Sequence, residues 1–481
     1  MTVFGGYLPP GFPQAAEIKR QTLRFVHQGR TTEVEVPAPD PEQLAQLMGY
    51  LRERQHETLA RLPVLAIAER IGQAAVRMLD QREDREAAVR TISGITGYAA
   101  ETVRSGLIRT LQSFRKPQLL RFLAQDFTDS SVLDDFVPQP AGGWTRAYGP
   151  TVSTHIWAGN VPGLSLWSLT GALLVKSAVL GKTGSSEPYT AGWLAAGIAA
   201  ECPELAGCMA VVWWQGGDEA AEQAAFAASD AVIVYGSDQA IHSVRSRVPA
   251  GTSCIGFGHR ISVGFVGSET LQIRQAPLIA AAVARDAAAY DQQGCYSPHQ
   301  IFVERGGRVD PSSFAGAVAH ELANLQLTHP PHELTPAEAR AVAEYRASAD
   351  WEGAAGGRVW RDSSGGWTLV YSESPQLRPS SLNRSLTITA VESLDEAVSL
   401  LAPLRPWLQS CGVAAAPERL FRLSNMLGQA GVSRICAFGE MTMPEPGWHH
   451  DGRFHLLDLV RMVDIDRSAE QAAELSADYR D

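Results

Sequence analysis

A chain of 481 residues is longer than one ordinary core supports, and with 45% hydrophobic and 19% charged residues it reads as a globular protein of two or three domains. Its net charge of -11 excludes a general nucleic-acid or anionic-membrane surface, which needs clustered excess Lys and Arg, so any anionic ligand must be met by local basic residues. The 6 cysteines show no CxxC or zinc-type spacing, Met1 to Arg20 carries no basic-then-apolar leader, and no apolar run approaches the ~20 residues of a membrane span; a cytoplasmic protein is expected.

Asp40-Pro41-Glu42-Gln43 sets an acid cap, a first-turn proline and a reaching amide at the head of a long helical pattern. The first ~130 residues read as mostly helical. The Pro/Gly-rich passage from Val137 to Pro150 breaks that pattern. From Thr151 strands and helices alternate: strands at Thr151–Trp157, Met209–Trp214, Ala231–Tyr235 and Ile261–Val266, and helices near Pro188–Ala200, from Asp218 and from Asp238. That order predicts βαβ crossovers and a parallel sheet. A second α/β region follows. It has a helix over Ala276–Tyr290, a strand over Gln300–Glu304, capped helices after Thr335 and Ser393, and two short strands around Ser363-Ser364-Gly365-Gly366. Glu470 to Asp481 reads as a polar, frayed or solvated tail.

Cys295 stands apart from the other cysteines. In Asp291-Gln292-Gln293-Gly294-Cys295-Tyr296-Ser297-Pro298, Gly294 admits close approach of a substrate, and Ser297-Pro298 stops any helix and leaves the sulfur on a turn. The residues alone leave open a nucleophile or an inert buried thiol. Asn160, fixed between Gly159 and Val161-Pro162 just past a strand, is either an oxyanion donor or an ordinary turn residue. Only Lys19, Lys116, Lys176 and Lys182 are lysines, against 41 Lys and Arg in all. Lys176, which ends the apolar run Leu173-Leu174-Val175, and nearby Lys182 are compact charges for a phosphate or ribose, or snorkelling strand-edge lysines. No G-x-G-x-x-G turn exists; Gly256-Phe257-Gly258 begins one and lacks the third glycine. Trp448-His449-His450-Asp451-Gly452 and His329-Pro330-Pro331-His332 gather imidazoles without metal-ligand spacing, so both read as structural turns and no metal is expected.

Taken in order, these segments resemble the aldehyde dehydrogenase superfamily, and within it the fatty acyl-CoA reductases of LuxC type. Ala158-Gly159-Asn160-Val161-Pro162 resembles the family's Asn loop, Val175-Lys176 its cofactor lysine, Val234-Tyr235-Gly236-Ser237 its F-x-G-S turn, and Gln293-Gly294-Cys295 its nucleophile motif. Gly256-Phe257-Gly258-His259-Arg260 and Trp448 to Arg453 are closer to the reductase branch than to ordinary aldehyde dehydrogenases. The resemblance runs from Thr151 to Asp466 and is weaker over the N-terminal helices. It implies an α/β fold: a Rossmann-like cofactor domain, an α/β catalytic domain and a mostly helical N-terminal region. The implied divisions are residues 1–270 for the helical region and cofactor domain, 271–440 for the catalytic domain, and 441–481 for a segment returning to the cofactor domain or an oligomer interface.

The resemblance also implies catalytic Cys295 and Asn160, and a nicotinamide cofactor bound by Lys176, Lys182, Gly236 and Ser237. NADPH is expected ahead of NADH, because Val179, three residues beyond Lys176, stands where NAD-preferring relatives often carry a glutamate. The implied reaction is attack of a Cys295 thiolate on an acyl-CoA, then hydride reduction of the acyl-cysteine to the aldehyde. His259 or Arg260 is expected to help the thiol ionise. Oxidising relatives activate water with a glutamate in an E-L-G-G-K stretch, whereas Ile255-Gly256-Phe257-Gly258-His259 has no carboxylate and Glu269 reads as a surface residue. Two other readings stay open: an aldehyde-oxidising or short-chain acylating dehydrogenase, and a non-catalytic homologue acting as a binding subunit. The implied partners are an acyl-CoA or acyl-protein donor, an acyl-transferring or acyl-activating protein, and a second copy of the chain; no nucleic acid and no membrane span are expected.

Overall fold

The apolar runs after Thr151 pair into a five-stranded sheet in the computed structural model, which describes residues 1–477 apart from Ala355 and Pro379. Its order is Ser253–Phe257, Ala231–Tyr235, Val152–Ile156, Ala178–Lys182, Met209–Val212, and every pairing is parallel. The chain therefore enters at the centre, winds to one edge, then crosses to the other. Connections leave the neighbours Val152–Ile156 and Ala231–Tyr235 in opposite directions, which opens a crevice at their carboxyl ends. Asn160 follows the first of these strands and Gly236-Ser237 the second.

A seven-stranded sheet follows, in the order Arg358–Arg361, Thr368–Ser372, Ser385–Val391, Pro298–Glu304, Ile261–Val266, Leu408–Ala414, Arg434–Cys436. Only the hairpin around Ser363 to Gly366 pairs antiparallel. Ile261–Val266, expected with the first sheet, lies instead inside the second, between Pro298–Glu304 and Leu408–Ala414. Gly258-His259-Arg260 is thus the passage between the sheets, ahead of the division expected after residue 270.

The N-terminal helices are present as expected, over Pro41–Glu57, Val64–Asp80, Arg82–Thr96, Ala100–Gln112 and Lys116–Asp126, and Asp40 and Gln43 close a capping box. The strands before them were not expected. Arg20–His27 and Arg30–Pro37 pair antiparallel across Gln28-Gly29, both left-handed at φ 48° and 73°, and Thr2–Phe4 lies parallel alongside. Helices and first sheet share one core, in which a fully buried side chain such as Phe122 or Phe226 contributes about 1.5–3 kcal/mol.

Near the other terminus, Arg461–Ile465 pairs antiparallel with Trp144–Tyr148, so the C-terminal segment returns to the strand leading into the first sheet. The tail forms an exposed helix over Arg467–Glu474, and residues 478–481, where fraying was expected, lie outside the described residues. Among the described residues no helix is long and apolar enough to cross a membrane.

Candidate active site

The helix Ala276–Ala288 ends in a left-handed turn through three non-glycine residues, Tyr290, Asp291 and Gln292, at φ 46°, 50° and 66°. Each costs about 1–2 kcal/mol. Side-chain bonds offset that cost: Gln292 Nε2 donates to the Pro298 and Ser385 carbonyls at 2.7 and 3.0 Å, and its Oε1 accepts from Ser385 N at 2.8 Å. Half-buried Cys295 follows, its carbonyl accepting from Ser262 Oγ at 2.8 Å. Pro298 then begins the next strand.

Cys295 faces a cleft of about 670 Å³ whose other wall is the crevice of the first sheet. Gly159, Asn160, Gly236, Ser237 and Cys295 all line it. Asn160 Nδ2 donates to the Gln293 carbonyl at 2.9 Å, two residues before the thiol, so the structure brings this amide to the cysteine turn. A Cβ at Gly159 would meet Ser186 Oγ and come within 2.8 Å of Glu187 N, which is why this loop needs glycine. Ser237 Oγ accepts from Ala240 N at 3.2 Å and caps the helix Asp238–Arg245, whose positive N-terminal end borders the cleft.

The two lysines part company. Lys182 ends its strand at the carboxyl edge, opposite Ile156, and is not itself among the residues lining the cleft. It is 8% exposed, and among the described residues its ammonium has no hydrogen-bond or ion-pair partner. Desolvation lowers its pKa, and Glu222 counters only part of that. An ammonium on a largely buried side chain, unpartnered among the described residues, fits an anionic group such as a cofactor phosphate. Lys176 does not belong to this set. The apolar segment before it is a buried helix, Leu164–Leu174, not a strand, so Lys176 falls at the amino edge of Ala178–Lys182, with its Nζ 2.6 Å from Asp134 Oδ1. Val179 is fully buried within that strand, out of reach of a ribose, and the inference drawn from it fails. Counted from Lys182 instead, the residue three further on is Ser185, uncharged, whose Oγ accepts from Trp213 Nε1 at 3.0 Å.

Burial first and Asp451 second push the Cys295 thiol up to about 11, against the lowering effects of Gln409, the cysteine's own N–H and Arg260. Asp451 is itself held. Its Oδ1 accepts from Gln409 Nε2 at 2.6 Å, and Oδ2 lies 2.9 Å from Arg260 Nη2. Arg260, expected to ionise the thiol, is therefore spent largely on Asp451, and His259 is exposed with its N–H on Asp238 Oδ1. Glu269 accepts from Ala416 N and pairs with Arg419 at 2.7 Å, beyond the carboxyl end of Ile261–Val266. Ser262, which holds Cys295, is near the amino end of that strand, so Glu269 cannot serve the thiol as a base.

His450 was read as part of a structural turn, yet it lines the cleft beside Cys295. Its ring stacks on Phe257 at 4.4 Å, and burial lowers its pKa to about 4, so it is neutral. His332, read in the same way, also lines the cleft. Behind Cys295 an apolar cavity of about 60 Å³, bordered by Leu164, Trp167, Tyr290, Tyr296, Trp448 and His455, shares Cys295 and His450 with the cleft. The thiol thus stands where a small apolar cavity meets the larger cleft.

Residues 59–462 match the family model described as acyl-CoA reductase (LuxC). The chain belongs to that family. It is 28% identical to long-chain acyl-protein thioester reductase 2 of Photobacterium leiognathi, over 73% of this chain and 71% of that protein. It is 25% identical to the long-chain acyl-protein thioester reductase of Aliivibrio fischeri, over 80% and 78%. Among solved structures, aldehyde dehydrogenase 21 of Physcomitrella patens superposes with a TM-score of 0.76 at 11% identity, covering 97% of this chain and 98% of that one. Lactaldehyde dehydrogenase of Escherichia coli gives 0.72 at 14%, covering 96% and 99%. The fold is that of the aldehyde dehydrogenases, and this LuxC-family chain is an oxidoreductase of that superfamily. Asp451 and Gln409 were missed in the sequence because each reaches Cys295 from a distant segment; the one available signal was the imidazole and carboxylate of His450-Asp451 set against a neighbouring glycine.

Proposed function

We propose that this LuxC-family protein reduces a long-chain acyl thioester, carried by CoA or by a protein, to the free aldehyde with NADPH, through an acyl-cysteine at Cys295. The observation that carries this reading is the place of Cys295, at the junction of the apolar cavity and the crevice of the first sheet. An acyl chain held in the cavity and a nicotinamide held in the crevice would both reach Cys295.

The Cys295 sulfur adds to the thioester carbonyl. Asn160 Nδ2, swung from the Gln293 carbonyl, and the Cys295 N–H hold the oxyanion, each donor contributing about 3 kcal/mol. The donor's thiolate leaves and takes the proton that Cys295 gave up. A bound reduced nicotinamide supplies the hydride for the second half of the reaction. The thiohemiacetal at Cys295 then collapses to aldehyde, and the sulfur takes a proton from solvent to restore the thiol. Asp451, engaged by Arg260 and Gln409, is a poor activator of water, which favours transfer over hydrolysis.

NADPH is supported by the unpartnered Lys182, by uncharged Ser185 and by the helix capped at Ser237. The long chain is supported by the apolar lining and by the names of the relatives, and protein-bound donors by those names alone. At about 60 Å³ the cavity has room for about two waters, so a long chain requires lining side chains such as Trp167 and Met443 to part. NADPH oxidation measured across CoA-linked and protein-linked acyl groups of graded length tests the reading. Long-chain thioesters with NADPH should give the highest kcat/KM. Equal efficiency with NADH would remove the cofactor assignment, and a preference for two- to four-carbon acyl groups would point to a short-chain acylating enzyme.

A further inference from the structure

Two residues ahead of the Gln293-Gly294-Cys295 motif, at Asp291, lies a buried charge cluster that the chemistry above does not use. The turn Tyr290-Asp291-Gln292 faces a second left-handed turn of non-glycine residues, Leu382, Asn383 and Arg384, at φ 58°, 53° and 57°. Asp291 joins them. Its Oδ1 lies 2.6 Å from both Nε and Nη2 of Arg384, and the two side chains are 3% and 1% exposed. Its Oδ2 accepts from His332 N at 2.9 Å and lies 2.7 Å from His332 Nδ1, while His332 Nε2 lies 3.3 Å from Glu338 Oε1. On the same seam Gln293 Nε2 donates to Asn383 Oδ1 at 2.9 Å.

The cluster also reaches the opposite loop. Tyr98 packs edge-on against Tyr290 at 5.6 Å and against His332 at 5.7 Å, and its hydroxyl donates to the Asn160 carbonyl at 2.9 Å. One connected set of contacts therefore fixes both the turn that carries the thiol and the loop that carries the amide.

We propose that Arg384 and His332, acting through Asp291, are positioning residues that hold the Cys295 turn in register with Asn160. The proposal rests on the reading of Cys295 as the acylated residue. Neither Arg384 nor His332 is placed at the reacting atoms. Removing either leaves a buried carboxylate undercompensated beside a turn of left-handed residues whose remaining side-chain ties run through Gln292 and Gln293.

The groups facing His332 are Asp291 and Glu338, with Arg384 behind Asp291, Tyr98 packed edge-on and Glu333 next along its own loop. With His332 protonated, two cations balance the two paired carboxylates. Burial opposes that protonation, but Asp291 and Glu338 outweigh it, and the His332 pKa is raised above its ordinary value. The cluster is complete below that pKa and loses its balance as pH rises through it. Ionisation of Cys295 runs the other way, increasing with pH.

The test is the rate of acyl-Cys295 formation from long-chain acyl-CoA across pH, in the full chain and in His332→Gln and Asp291→Asn, with Cys295→Ser alongside. At neutral pH both variants should form acyl-enzyme about 10- to 100-fold more slowly, in kcat rather than in KM, with NADPH affinity unchanged. The falling limb above the His332 pKa should be present in the unmodified chain and absent in His332→Gln. Unchanged rates with that limb retained in His332→Gln would overturn the proposal. So would acylation, nucleotide affinity and melting temperature all declining together in both variants, which marks a general structural role. If Cys295→Ser still accepts the acyl group, the nucleophile assignment fails instead.

Discussion

At the scale of single residues, Cys295 in this state is a protonated thiol. Pushed up to about 11, it is ionised to about one part in 10⁴ at pH 7, against a few per cent for an unperturbed cysteine. Burial and Asp451 both act in this direction, and Arg260 lies too deep in its pair with Asp451 to reverse it. Asp451→Asn removes one of the two raising influences and frees Arg260, so the alkylation of Cys295 by iodoacetamide should speed up at neutral pH and its midpoint should move to lower pH. A midpoint that stays put would show that burial alone sets the thiol. Local patterns, a cysteine after glycine and an asparagine before Val-Pro, singled out Cys295 and Asn160 as candidates while leaving each open, and the structure brings the two together. Asp451 and His332 were not singled out, because their roles come from partners at Arg260 and Gln409 in one case and Asp291 in the other, which no spacing along the chain reveals.

At the scale of elements, alternating strands and helices were readable from Thr151 onward, and the capping signatures at Asp40, Thr335 and Ser393 each begin a helix. The errors share a physical cause. A continuous apolar run such as Leu164–Leu174 satisfies a buried helix and a buried strand equally well, and setting Lys176 at a strand end after Leu173-Leu174-Val175 put it at the wrong edge of the sheet. The N-terminal hairpin carried a usable signal, Gln28-Gly29 between alternating residues, that the strong helical pattern after it overshadowed. Ile261–Val266 looks the same whichever sheet it joins; pairing partners far along the chain decide. The corrected placement makes a sharp contrast. Lys182→Ala should weaken NADPH binding, seen as a rise in Kd by fluorescence titration, with little change in melting temperature. Lys176→Ala should do the reverse, leaving Kd unchanged and costing about 1–3 kcal/mol in urea unfolding as Asp134 loses its partner. Weaker nucleotide binding in Lys176→Ala alone would restore the assignment that the register rejects.

At the scale of the whole molecule, function follows from how two sheets meet. The doubly wound first sheet provides a crevice with an unpaired ammonium and a helix N-terminus, and the second supplies the thiol from a turn ahead of Pro298–Glu304. N-terminal helices brace both, since Tyr98 touches the turn before Cys295 and the loop of Asn160 at once. The carboxylate beside the thiol is engaged by Arg260 and Gln409, and Glu269 lies at the far end of its strand. An acyl group on Cys295 should therefore wait for a hydride or a thiol rather than for water. Intact-protein mass spectrometry of the chain mixed with long-chain acyl-CoA, first without and then with NADPH, tests this most directly. One acyl group per chain should appear, map to the peptide holding Cys295, persist without NADPH, and leave as free aldehyde when NADPH is added. An adduct on another residue, or one that clears to free fatty acid before any NADPH is present, would contradict it.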